Sequence, residues 1–181
     1  MPDDLYPTPP EATKCLLQNV QFNGAIWECA SGLGHISRVI EQAGYNVVST
    51  DLCAAEYEYG EVHDFLASTT ARAPNIVTNP PYKLLREFLH IAFTLPSVDT
   101  VTLFMPLPTL SKVYMHEFCT EFGAPALILV MVPLFKIYMG AERGTRLSLF
   151  THCWVYWDRR QAKHNSSEFR LVNWKLANSI R

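Results

Sequence analysis

Ile36, Val39, Ile40 and Ala43 fall at the i, i+3, i+4 and i+7 positions of a helix with one buried face, and Gly44 follows as its stop. Leu84, Leu85, Phe88, Leu89, Ala92 and Phe93 repeat that spacing, and residues 111–122 give a further helix ended by Gly123. Thr8-Pro9-Pro10-Glu11 has the S/T-x-x-E pattern of a capping box with proline at the first helical position, which predicts a helix to about Gln18. Between these segments lie short apolar runs at residues 25–29, 45–50, 62–65, 75–78, 101–106, 127–132 and 147–157. Seven such runs alternating with helices predict an α/β fold: a mostly parallel sheet of seven strands with helices on both faces. The last two runs leave no room for a crossover helix, so one antiparallel strand is expected at that edge. From Asp158 onward the chain is polar, and no element is assigned to it.

Composition narrows the class. The 181 residues are 49% hydrophobic, enough for one sizeable core, and one domain is expected, with a core over residues 5–158 and a tail over 159–181. A net charge of −2 excludes a global basic field that would draw the chain to nucleic acid. Five scattered cysteines (Cys15, Cys29, Cys53, Cys119, Cys153) form no C-x-x-C pair, which argues for a reducing cytoplasm and against disulfides or zinc. The acidic start, Met1-Pro2-Asp3-Asp4, argues against a secretory signal. The apolar stretch over residues 124–135 contains Pro125 and Pro133 and is too short to span a bilayer.

Candidate chemistry gathers at the ends of the predicted strands, where open parallel sheets bind ligands. Asn79-Pro80-Pro81-Tyr82 follows the run at 75–78. Two prolines make a stiff turn whose carbonyls can accept hydrogen bonds; Asn79 adds an acceptor and Tyr82 a stacking face. That set suits a planar group bearing an exocyclic amine. Glu28-Cys29-Ala30-Ser31-Gly32-Leu33-Gly34-His35 follows the first strand and opens a helix, and Asp51 closes the second strand, placed for ribose hydroxyls. The same glycine turn and acid also fit a dinucleotide enzyme or a purely structural turn, although Ser37 replaces the third small residue of the dinucleotide fingerprint. Tyr6-Pro7-Thr8-Pro9 reads either as a helix start or as a helix terminus that holds a carboxylate. Asp64 and Phe65 read either as a grip on an adenine ring or as a solvated acid beside a core ring.

In their order and spacing these motifs resemble the class I S-adenosylmethionine-dependent methyltransferases, with a Rossmann-like fold. Within them they look most like the small N6-adenine DNA methyltransferases of phages and prophages. The Asp51 to Leu66 run and Trp154-Val155-Tyr156-Trp157-Asp158 add to the likeness, which covers residues 5–158. The resemblance implies S-adenosylmethionine as cofactor and no metal. Tyr6, Thr8 and Pro9 would flank its methionine end. Glu28, Ala30, Gly32 and Gly34 would wrap its amino acid and sugar, Asp51 would bind the ribose, and Asp64 with Phe65 would take the adenine. Asn79 and the Pro80 carbonyl would accept from the target amine, Pro81 would stiffen the turn, and Tyr82 would stack on a base flipped out of DNA.

The chain has no segment large enough for a separate target-recognition domain, so sequence reading would come from loops or a partner protein. Basic residues gather at Lys83 and Arg86, at Arg143 and Arg146, and at Arg159, Arg160, Lys163 and His164, a phosphate-contacting rim or a solvated surface. His35 is expected to pack behind the cofactor loop. Besides adenine in DNA, guanine amines of RNA and glutamine side chains of proteins present a similar sp² carbon bearing nitrogen. A non-catalytic relative that binds only cofactor is the third reading.

Overall fold

Neighbouring residues of the central strands are buried on opposite faces of one sheet. Ile76 belongs to the apolar cluster on one face and Val77 to the cluster on the other, and both are fully buried. The computed structural model describes residues 7–133, 150–161 and 163–176. Among them eight strands form the sheet: β1 (Ile26–Glu28), β2 (Val47–Asp51), β3 (Glu61–Val62), β4 (Asn75–Thr78), β5 (Thr100–Pro106), β6 (Leu127–Val132), β7 (His152–Asp158) and β8 (Glu168–Asn173). Their order is β3-β2-β1-β4-β5-β7-β6-β8. All neighbours pair in parallel except at β7, which is antiparallel to both β5 and β6. The expected antiparallel strand is thus β7, inserted between β5 and β6 on that side of the sheet.

Helices cover both faces. On one, α1 (Pro10–Asn19) and α2 (His35–Gln42) bury Ala12, Cys15, Leu16, Ile36 and Ile40 with Phe104 and Trp154. On the other, α4 (Leu85–Thr94) and α5 (Val113–Phe122) bury Leu85, Phe88, Leu89, Phe93 and Phe118 with Trp27, Leu103 and Trp157. A four-residue turn, α3 (Ala54–Tyr57), follows β2. Trp154 donates its Nε1 hydrogen to the Ala12 carbonyl at 2.8 Å, a buried bond that pins α1 to the sheet. Among the described residues no helix is long and apolar enough to cross a membrane, and no cluster of three His, Cys, Asp or Glu could hold a metal.

The structure corrects four expectations. Thr8 does not cap α1: the N-cap is Pro9, with no side-chain bond, although Pro10 does occupy the first turn. The third strand stops at Val62, and residues 65–67 form a 3-10 turn, because the Asp64 carboxylate accepts from the Leu66 N–H at 2.9 Å and caps it. The helix expected from 111 begins at Val113, after a separate 3-10 turn over Leu107–Ser111. The polar tail supplies an eighth strand, β8, paired with β6. Tyr6, Arg143, Arg146 and the first residues of the run at 147–157 lie outside the described residues.

Candidate functional site

Strand order reverses between β1 and β4: from β1 the chain proceeds to β2 on one side, and β4 with β5 lies on the other. A crevice at such a switch point is where doubly wound sheets bind ligands. A cavity of about 540 Å³ lies there, lined by the residues that end β1 and β2, by Asn79 just after β4, and by the loops beyond. That volume suits a nucleotide-sized molecule. Of the site residues expected from sequence, Thr8, Glu28, Ala30, Gly32, Asp51, Asp64, Phe65, Asn79 and Pro81 line the cavity. Pro9, Gly34, Pro80 and Tyr82 do not.

The glycine loop is held by its acids. Asp51 accepts from the Gly32 N–H through Oδ2 and from the Cys53 N–H through Oδ1, both at 2.8 Å. A single carboxylate thereby ties the end of β2 to the loop after β1. Glu28 is only 1% exposed, and its Oε2 accepts from both the N–H and the hydroxyl of Ser37. Burial pushes the Glu28 carboxyl up to about 8, against the Ser37 bonds that lower it, and nearby Asp51 adds to the rise. The carboxyl is therefore mostly protonated at neutral pH.

Gly32 and Gly34 adopt φ of 50° and 76°, the left-handed region. A Cβ on Gly34 would sit 2.4 Å from the Tyr59 ring, so the close approach at Gly34 is to a side chain of the protein. Tyr59 in turn lies under the Arg38 guanidinium, 4.8 Å from the ring centroid. Phe65 is 2% exposed, packed edge-on to Trp27 and stacked on Phe88 with centroids 4.8 Å apart. It serves the core while contributing to the cavity wall.

The turn after β4 uses its groups unequally. Leu84 donates its N–H to the Pro81 carbonyl at 2.9 Å, so that carbonyl closes the 3-10 turn over Tyr82–Leu84. The expectation that both proline carbonyls stand open is corrected here: no such backbone bond reaches the Pro80 carbonyl among the described residues. Asn79 donates from Nδ2 to the Thr8 hydroxyl at 3.0 Å. Pro9 and Pro10 bring no N–H to the start of α1, and Ala12 donates to the Pro9 carbonyl, so little of the usual helix-terminal donor set faces an anion.

Several residues on this end of the sheet were not singled out by the sequence. His63, Tyr57, Leu52 and Cys53 line the cavity, with Leu52 67% exposed. Their signal was the loop after β2, whose tyrosines and charges carry no period. His152 stacks on Phe104 and tilts against Tyr82, with centroids 5.2 and 6.1 Å away. Its Nδ1 bonds the Phe150 carbonyl at 2.9 Å, and burial pushes the imidazole down to about 4. The apolar run around it concealed it. His35, expected to pack behind the loop, lines the cavity itself.

No protein-family model matches the chain, and no curated protein matches it by sequence. Solved structures match it closely in fold. A modification subunit of a type I restriction enzyme of Vibrio vulnificus, so described, superposes with a TM-score of 0.64 at 12% identity over 94% of this chain. The chain spans about half of that subunit, 48%. A Listeria monocytogenes protein described as a class I S-adenosylmethionine-dependent methyltransferase gives 0.61 at 13% identity, over 91% of this chain and 65% of that one. A Pyrococcus horikoshii protein described as an RNA methyltransferase gives 0.59 at 18% identity, over 86% and 85%. The fold is that of the class I S-adenosylmethionine-dependent methyltransferases.

Proposed function

We propose that the protein transfers a methyl group from S-adenosylmethionine to the exocyclic N6 amine of adenine in DNA. The observation that carries this reading is the joint placement of Asn79 with Asp51, Glu28 and Gly32 around one cavity at the switch point. The donor set fits the cofactor. Acidic and carbonyl acceptors suit its ammonium and ribose hydroxyls, and Phe65 and Leu52 offer apolar surface for its base. S-Adenosylmethionine, when bound, supplies an electrophilic methyl group on a positively charged sulfur.

The chain's own residues do the rest. An adenine amine is a poor nucleophile because its lone pair is delocalised into the ring. The Asn79 carboxamide and the Pro80 carbonyl, held on a stiff turn, would accept from that amine and stabilise the positive charge that develops on it. Tyr82 would stack on the base, which must leave a duplex to be reached. The likeness of the motifs to the small phage adenine methyltransferases belongs to this reading. The Vibrio neighbour, described as a modification subunit of a type I restriction enzyme, supports a DNA acceptor and a partner subunit that takes part in target recognition.

The Pyrococcus neighbour keeps RNA in view as an acceptor. Incubation with methyl-labelled cofactor and DNA, RNA or protein in parallel separates these outcomes. Label in DNA, recovered as N6-methyladenine and favoured by single-stranded sites, is expected. Label confined to RNA or protein moves the acceptor, and cofactor binding without any transfer removes the enzyme.

A further inference from the structure

We infer that the outer edge of β8 pairs with the same edge of a second copy of this chain, antiparallel about a twofold axis at Phe169, so that two sheets become one. β8 ends the sheet, and among the described residues no strand pairs with its outer side. Glu168 donates its N–H to the Ala126 carbonyl at 3.1 Å, which directs its main-chain groups toward β6. Those groups alternate in direction along a strand, so the N–H and C=O of Phe169 and Leu171 point away from β6. An edge of that kind is a template for another strand.

The side chains of β8 determine which strand fits. Phe169 is 56% exposed and Leu171 68%. Both lie on the sheet face that α4 and α5 cover further in, since they pair in register with Ile128 and Val130. Edges that stay single are guarded by proline or by charges that repel a second copy. β8 carries no proline, and its two charges, Glu168 and Arg170, are opposite in sign and two residues apart. That spacing is self-complementary. With the axis at Phe169, Glu168 of each copy stands opposite Arg170 of the other, and the two Phe169 rings meet as a cross-strand aromatic pair. Phe169 would exchange both main-chain bonds with its counterpart, and Leu171 would do so with Ser167 of the other copy. Moving the axis by one residue sets Arg170 against Arg170 or Glu168 against Glu168, so charge selects this register. The ion pair within β8 is exposed and costs little to rearrange.

Sedimentation equilibrium of the whole protein from about 5 to about 500 μM reads the association, because a contact along one strand edge is small and therefore weak. A reversible monomer–dimer equilibrium is expected, whatever the protein methylates. Glu168→Arg and Arg170→Glu each turn both cross-strand pairs repulsive and should raise the dissociation constant at least about tenfold. Mixed in equal amounts, the two variants should form a heterodimer of near-parental affinity, because each supplies the sign the other lacks. Leu171→Pro removes an outward N–H and leaves the bonds to β6 in place, so it should weaken the dimer at least about tenfold as well. Urea denaturation checks that each variant is folded. A parent that stays monomeric throughout overturns the inference. So does a dimer that Leu171→Pro or the single charge reversals leave unchanged, or that mixing the two reversals fails to restore. Association that appears only when DNA is added also overturns it.

Discussion

Glu28 is the residue on which folding and the proposed cofactor binding meet. Its folded carboxyl holds a proton up to about pH 8, whereas the unfolded chain releases it near the ordinary carboxyl value of 4.5. The folded state therefore binds the extra proton across that window, and stability falls as pH rises through it, by up to about 1.4 kcal/mol per pH unit. His152 acts from the other side. Its folded imidazole stays neutral down to about 4, against an ordinary imidazole value of 6.5, so stability falls as pH drops from 6.5 toward 4. Glu28→Gln should remove the fall in stability toward alkaline pH and, because the Glu28 and His152 windows overlap below pH 6.5 with opposite signs, steepen the acid limb, as urea denaturation from pH 5 to 9 would show. An unchanged alkaline limb would mean that Glu28 is ionised in the folded protein.

At the scale of elements, the loop between β1 and α2 depends on a glycine that faces the protein's own tyrosine. Gly34→Ala introduces a left-handed alanine, costing about 1–2 kcal/mol, and drives its methyl into the Tyr59 ring. Adding Tyr59→Ala should recover the steric part only, so a double-mutant cycle in chemical denaturation should show coupling; strict additivity would contradict the contact. Much of this architecture was legible because it is local. Helical spacing marked α2 and α4, and the run at 75–78 matched β4 residue for residue. The failures were tertiary. Thr8 has the residue pattern of a cap, but its hydroxyl is taken by an asparagine far along the chain. β8 alternates Phe169 and Leu171 with polar residues, yet both are exposed, and only its pairing with β6 makes it a strand. The placement of Asp51, Glu28 and Asn79 around one cavity was readable from strand-end position. His152 and Tyr59 were not, since nothing in their local sequence reports which ring or loop they meet.

Across the whole molecule, the charge balance bears on how the proposed DNA substrate would be held. With a net charge of −2, binding should rest on a few local contacts, Lys83 at the cavity among them, and should show a shallow salt dependence. Lys83→Ala should reduce the slope of log affinity against log salt by about one. An unchanged slope would place the phosphate path elsewhere. The central claim is that Asn79 acts on the amine during transfer, not on the cofactor or the fold. Single-turnover methylation of single-stranded DNA, read as N6-methyladenine by nucleoside mass spectrometry, compares the parent with Asn79→Ala directly. The account predicts a folded variant with near-parental cofactor affinity and a transfer rate lower by about a hundredfold to a thousandfold. Full specific activity per folded Asn79→Ala molecule would contradict it.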